Sequence, residues 1–109
     1  GPINSFMKAF LRVRLTFEDD SRAELRDKKA FSQLIRRATE SMFGIVGSSD
    51  LEADMLSFCT QQELSSAVAL VSIDSKVLVR FRASLTLFGS VENTRCRFDV
   101  ESVGCQPPL

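Results

Sequence analysis

The chain has 109 residues, of which 44% are hydrophobic and 26% are charged, a balance that predicts one globular domain with a single core. Fourteen basic residues match fourteen acidic ones, so the formal net charge is zero, which argues against a free-standing nucleic-acid binder with its usual basic excess. Histidine is absent, and this removes the commonest general base. The three cysteines lack the paired spacing of a zinc site, which predicts a reduced, intracellular protein without a metal.

Both ends of the chain are expected to lie outside the domain. Gly1-Pro2 is typical of a protease-cleavage scar, so residues 1–5 are assigned to an N-terminal tail, 6–103 to the domain and 104–109 to a C-terminal tail. No apolar run approaches the ~18 residues of a membrane span. No long apolar segment follows a basic start, so neither a signal peptide nor a membrane contact is expected.

A strand and an amphipathic helix are the first predicted elements. Phe6–Phe17 alternates between apolar and polar residues, the pattern of a strand with one buried face. A charged, aperiodic loop follows as far as Asp27, which can cap a helix, and Gly44 is suited to end that helix. The helix is expected to bury Phe31, Leu34, Ile35, Ala38 and Met42. Its polar face, typical of a solvated surface, carries Lys29, Gln33, Arg36, Arg37 and Glu40.

Three further strands are predicted by composition and alternation. After a turn at Ile45–Asp50, the acidic residues of Leu51–Thr60 suit the edge of a sheet. A turn at Gln61–Leu64 leads to Ser66–Ile73, which is apolar on both faces, as central strands are. Asn93–Ser102 alternates again, with Cys96, Phe98 and Val100 facing in and Arg95, Arg97, Asp99 and Glu101 facing out.

The stretch VLVRFRASLTLFG, Val77–Gly89, fits both a strand and a helix. Its alternation is that of a strand, yet Asp74 or Ser75 suits a helix N-cap and Gly89 suits the residue beyond a helix end. Ser75 also fits poorly in the two-residue turn that a strand here requires. A helix is favoured because it completes the order β-α-β-β-α-β, an α+β ferredoxin-like sandwich with two helices on one face of a four-stranded antiparallel sheet.

As a helix, this stretch has apolar residues on two sides. The stripe expected to cover the sheet comprises Val77, Leu78, Phe81, Leu85 and Phe88. A second stripe and its flanking cations are the candidate partner-interface residues, Val79, Arg80, Arg82, Ala83 and Leu87. The alternative is that a loop or the C-terminal tail covers this second stripe.

Three stretches together carry a resemblance to a known family: MKAFLRVRLTFED, FSQLIRRATESMFG and, above all, SLTLFGSVENTRCRFDVESV. They resemble the Pop-five/Rpp-fourteen family, which contains the fourteen-kilodalton protein subunit of eukaryotic nuclear ribonuclease P. The similarity extends from Phe6 to Val103 and includes no catalytic motif. It implies a β-α-β-β-α-β domain and so supports the helix at Val77–Gly89.

The resemblance also implies a function. It points to a non-catalytic subunit that scaffolds the ribonucleoprotein removing 5′ leaders from precursor tRNA, and to a part in the related RNase MRP. The implied partners are a related Pop-five-type subunit and a barrel-type ribonuclease P protein subunit, and the implied location is nuclear and nucleolar. No catalytic residue or cofactor is expected. The alternative is a ferredoxin-like small-molecule-sensing or protein-interaction domain unrelated to RNA.

Candidate RNA contacts are expected on the outward face of the sheet, because the last strand of this fold lies beside the first. They are Lys8, Arg12, Arg14, Arg95 and Arg97, each of which provides a salt-sensitive attraction for a phosphate. Asp99 and Glu101 share that face, so a solvated mixed-charge surface and a protein contact stay open as alternatives. Phe10 is its one aromatic candidate, which disfavours base stacking, and the zero net charge favours a protein-bridging role.

Overall fold

The computed structural model describes residues 7–19, 25, 27–61 and 65–106, without the side chains of residues 105 and 106. This part of the chain contains one five-stranded antiparallel sheet and two α-helices. The elements in chain order are β1 (Lys8–Phe17), α1 (Lys28–Gly47), β2 (Asp54–Gln61), β3 (Ser66–Asp74), α2 (Leu78–Leu87), β4 (Ser90–Val91) and β5 (Thr94–Gln106). A short 3₁₀-helix, Ser75–Val77, precedes α2.

The strands lie in the order β2-β3-β1-β5-β4, which confirms an α+β fold but corrects the expected number of strands. The additional strand, β4, has two residues and pairs with the start of β5. Glu92 and Asn93 join the two strands with φ values of 49° and 70°, the positive pair that a two-residue type I′ hairpin requires. The segment before β5, which the sequence pattern predicted as a polar turn without a strand, is therefore a β-hairpin.

Alternating apolar residues of β1 form the centre of the core, as predicted. Ala9, Leu11, Val13, Leu15 and Phe17 are all buried, because β1 lies between β3 and β5 and one of its faces is covered. The expected positions of β2 at an edge and β3 in the interior are confirmed. Phe6, most of the loop before Asp27 and residues 62–64 of the expected second turn lie outside the described residues.

Helix α1 begins where it was predicted to begin. The carboxylate of Asp27 accepts a hydrogen bond from the backbone N–H of Lys29 at 2.9 Å, which satisfies one of the unpaired donors of the first turn. Its buried face contains the expected Phe31, Leu34, Ile35 and Ala38. Phe31 lies deepest, with its ring centroid 5.3 Å from that of Phe58 and 6.2 Å from that of Phe98.

The last turns of α1 differ from the prediction. Met42 is 44% exposed rather than buried. Gly44 interrupts the helix with a φ of 76°, after which a further helical turn continues to Gly47 and occupies part of the segment expected to be a turn. Because the backbone changes direction at Gly44, Ile45 and Val46 face solvent, with exposed fractions of 78% and 87%.

The ambiguous stretch is a helix. In α2 and the preceding 3₁₀-turn, Val77, Phe81 and Leu85 are buried against the sheet, and the carboxylate of Asp74 caps the turn by accepting from the backbone N–H of Lys76. Gly89 lies just beyond the end of this helix, as expected, but it is not among the glycines with positive φ. Phe88 ends α2 in an extended conformation, because the chain passes at once into β4.

Candidate partner and RNA interfaces

The outward face of the sheet brings the predicted cations close to acidic residues. β1 and β5 are neighbours, as expected, and their register places Arg12 opposite Glu101 and Arg14 opposite Asp99. Arg12 Nη1 lies 2.6 Å from Glu101 Oε1, and Arg97 Nε lies 3.0 Å from Asp99 Oδ2. Exposed pairs of this kind contribute at most about 1 kcal/mol to stability, but they lower the positive potential of the face.

Two of the five sheet-face candidates have no ion pair or side-chain hydrogen bond within the described residues. They are Lys8 and Arg95, whereas Arg14 donates hydrogen bonds to Gln61 Oε1 and to Ser66 Oγ. Lys8 begins β1, and the backbone of Arg95 is bonded to Glu18, just beyond the end of β1. At about 3.3 Å per residue, ten residues of strand separate these two cations by about 30 Å. They do not form one patch.

The second apolar stripe of α2 is exposed. Val79 and Leu87 have exposed fractions of 80% and 71%, and Ala83 lies half-buried between them. A shallow groove follows this face and is lined by Leu78, Val79, Arg82, Ala83, Thr86 and Leu87. No described segment covers the stripe, so this side of the helix has apolar surface available to a partner.

The two arginines that flank the stripe already bind within the chain. Arg80 makes two contacts with Asp50 in the turn after α1, the shorter being 2.9 Å between Nη2 and Oδ2. This hydrogen bond lowers the pKa of Asp50 below its usual range. Arg82 reaches β5, where it donates to the backbone carbonyl of Val100 and to Ser102 Oγ. Both side chains therefore orient α2.

The exposed apolar pair Ile45-Val46 was not predicted as part of any interface. The contact between Arg80 and Asp50 brings the beginning of α2 close to the turn that follows Ile45 and Val46. These two apolar residues therefore lie near the end of α2 that carries Val79. The only signal in the sequence was two β-branched apolar residues inside a segment otherwise typical of a turn. A turn in water normally carries polar residues there.

A pocket of about 330 Å³ lies between α1 and β2. Arg36 and Glu52 approach each other to 3.4 Å at this pocket, and its lining mixes aliphatic, hydroxyl and acidic side chains. Among the described residues, no group of three or more metal-ligating side chains is found. The same part of the chain contains no helix with the length and apolar character needed to cross a membrane.

A model of the Rpp14/Pop5 family matches residues 9–105. The chain belongs to this family. The match covers both helices, all of β1 except its first residue and all of β5 except its last. The resemblance carried by three stretches of sequence is therefore confirmed. Membership of the Rpp14/Pop5 family does not favour the alternative of an unrelated small-molecule-sensing domain.

Two relatives of this Rpp14/Pop5 family member add detail. The chain is 38% identical over 73 residues to the mouse (Mus musculus) protein named ribonuclease P protein subunit p14, a match covering 67% of this chain and 56% of that protein. The chain thus spans little more than half the length of the curated relative. It also resembles a chain in the cryo-EM structure of yeast ribonuclease MRP, with a TM-score of 0.50, 13% identity, and coverage of 91% of this chain and 74% of the other. That likeness shows a shared fold.

Proposed function

We propose that this Rpp14/Pop5 family domain is a non-catalytic protein subunit of ribonuclease P and of RNase MRP. It helps to scaffold the ribonucleoprotein that removes 5′ leaders from precursor tRNA, in the nucleus and nucleolus. Its family and the name of its mouse relative support the assignment. Its proposed partners are a related Pop-five-type subunit and a barrel-type ribonuclease P protein subunit.

The structural observation that carries the scaffolding part of this proposal is the exposed second stripe of α2. A helix of a free-standing domain normally has a polar outer side, whereas Val79 and Leu87 leave most of their apolar surface in water. Burying one such side chain fully is worth about 1.5–3 kcal/mol. Arg80 and Arg82 hold the helix in place on either flank, which lowers the conformational cost of docking. We infer that α2 docks the related subunit.

Co-expression with the related subunit tests this interface. The variant Val79→Glu/Leu87→Glu replaces two apolar side chains with charges, and we expect roughly hundredfold weaker association or more, because about 3 kcal/mol of burial is lost. Affinity is measured by isothermal titration calorimetry, and circular dichroism checks that the fold is retained.

A matched control is Leu56→Glu/Val103→Glu, which makes the same chemical change at two exposed apolar positions on β2 and β5. This control is expected to leave the affinity unchanged. An intact complex with Val79→Glu/Leu87→Glu, or equal losses for both variants, would show that α2 is not the docking surface.

The sheet face is a second proposed contact, with RNA inside the assembled particle. Lys8 and Arg95 support it, because they have no ion pair in the described chain. Arg12, Arg14 and Arg97 must first leave their partners within the domain. We therefore expect these three arginines to contribute less to RNA affinity than cations without such partners.

A further inference from the structure

The solvent face of α1 carries two parallel rows of side chains that the proposed function does not use. Residues four apart on a helix lie one above the other, so one row is Lys28-Ser32-Arg36 and the adjacent row is Lys29-Gln33-Arg37. All six residues are exposed. A groove of about 580 Å³ is lined by residues of both rows, by Asp27 and by Met55 of β2. We propose that these rows form a binding surface for the phosphate backbone of RNA.

The charge of this surface is poorly compensated. Lys28, Lys29 and Arg37 have no ion pair or side-chain hydrogen bond within the described residues, and Arg36 meets Glu52 only at 3.4 Å. The carboxylate of Asp27 is already engaged in capping the helix. On the sheet face, by contrast, Arg12 and Arg97 have carboxylate partners at 2.6 and 3.0 Å. Of the described cations without an ion pair or side-chain hydrogen bond, Lys28, Lys29 and Arg37 thus lie together on α1, whereas Lys8, Lys76 and Arg95 lie on three other elements.

The position of the lysines in the helix is a second, independent observation. Lys28 and Lys29 lie in the first turn of α1, where no acidic residue is found. The positive end of the helix dipole disfavours cations there, so these two side chains weaken the helix that carries them. The carboxylate of Asp27 already caps this helix end. A phosphate held by the two ammonium groups lowers their repulsion from the helix end, because it neutralises their charge.

The composition of the two rows favours RNA over an acidic protein. No position in either row is apolar or aromatic, whereas protein interfaces have an apolar centre and are depleted of lysine. Phosphate contacts use lysine, arginine, serine and glutamine, the residue types found here. From Lys29 to Arg37 the row rises about 12 Å, which allows contact with more than one phosphate. Without an aromatic platform, binding is independent of base sequence.

The test uses the complex of this chain with its related subunit, and a fluorescein-labelled RNA duplex of about 20 base pairs as the probe. This inference rests on the proposed function for the presence of RNA. The variant Lys28→Ala/Lys29→Ala/Arg37→Ala is expected to bind at least tenfold more weakly at low salt. Its slope of log affinity against log salt concentration should fall by about two to three, the value for three lost phosphate contacts.

The matched control, Leu56→Glu/Lys76→Ala/Val103→Glu, lowers the net charge by the same three units at exposed positions outside both sets of candidate RNA contacts and is expected to lower the slope by less than one. The α1 variant should unfold at the same temperature as the unmodified chain or higher, because it removes two unfavourable charges from the helix start. An unchanged slope for the α1 variant overturns the inference. Equal losses for both variants also overturn it, because net charge then accounts for binding.

Competition separates the two classes of partner. A polyglutamate peptide of the same charge as the duplex is expected not to displace it from the complex. Displacement by this peptide at equal concentration overturns the inference in favour of an acidic protein partner. If the two unmodified subunits do not elute together in gel filtration, the proposed function is wrong. If they do elute together but the α1 variant of the complex binds RNA with unchanged affinity, only the inference about α1 is wrong.

Discussion

At the scale of single residues, Gly44 changes the course of the backbone near the end of α1. Its φ of 76° and ψ of 173° lie in a region that is essentially restricted to glycine. This conformation interrupts α1 and turns Ile45 and Val46 into solvent. Apart from Gly44, its two chain neighbours and the nearby backbone of its own helix, no atom lies within 4 Å of the position that a Cβ would occupy. The requirement for glycine therefore comes from the backbone conformation.

The variant Gly44→Ala is therefore expected to lower the free energy of unfolding by about 1–3 kcal/mol, measured by urea denaturation. Gly89→Ala is the control, since Gly89 has equally open surroundings and is not among the glycines with positive φ. The control should be neutral or stabilise the domain by up to about 1 kcal/mol. If the two variants are equally stable, alanine adopts the backbone conformation of Gly44 without strain, and the prediction is wrong.

At the scale of elements, α2 is attached to the domain in three ways. One side buries Phe81 and Leu85 in the core, while Arg80 and Arg82 connect its flanks to the turn after α1 and to β5. These connections leave one side of the helix free, and that side carries Val79 and Leu87. An exposed apolar stripe on a firmly held helix is well suited to a partner, because docking orders little further.

The Arg80–Asp50 pair predicts a dependence of stability on pH. Arg80 lowers the pKa of Asp50 in the folded chain, so the unfolded chain binds a proton more readily at this carboxyl. The pair therefore contributes stability above about pH 4, the ordinary range of an aspartate, and the contribution is lost as pH falls through the lowered pKa. Both side chains are exposed, so the contribution is small.

Urea midpoints at about pH 3 and about pH 6 measure this effect. We expect Asp50→Asn to lower stability at the higher pH and to differ less from the unmodified chain at the lower pH. Asp54→Asn changes a similarly exposed carboxylate on β2 and is expected to keep the pH dependence of the unmodified chain. If the difference in urea midpoint between Asp50→Asn and the unmodified chain is the same at both pH values, the pair does not cause the pH dependence.

At the scale of the whole molecule, a formal net charge of zero is combined with exposed apolar groups on both helices. The sequence pI is about 6.5, so electrostatic repulsion between copies is weakest near this pH. Apolar patches on a chain without net charge favour association. A subunit that is covered by partners in its assembly has no need to keep copies apart by charge.

Solubility of the isolated chain should accordingly be lowest near pH 6.5. Val79→Glu/Leu87→Glu is expected to raise it several-fold at that pH, measured as the soluble concentration and by light scattering. The control Ser57→Glu/Ser90→Glu adds the same charge at exposed positions on β2 and β4 and leaves the stripe intact. If both variants raise solubility equally, net charge rather than the stripe limits it.

The order of the long elements was predictable from the sequence, because periodicity is local. The alternating residues of β1 and the helical spacing from Phe31 to Ala38 each mark a buried face without reference to the rest of the chain. The strand β4 and the exposed end of α1 were not predictable. Each depends on a positive φ, at Glu92 and Asn93 or at Gly44, that only the surrounding structure selects.

The candidate sites divide in the same way. Strand and helix periods assign a face to every position, so the cations that share the sheet face and the apolar residues on the outer side of α2 could be predicted from the sequence. The tertiary structure alone decided which charges are compensated, because Arg12 and Glu101 are 89 residues apart in the chain and meet only through the register of β1 with β5. Among the described residues, long-range pairing thus left a group of three uncompensated cations on α1 and an uncovered apolar stripe on α2.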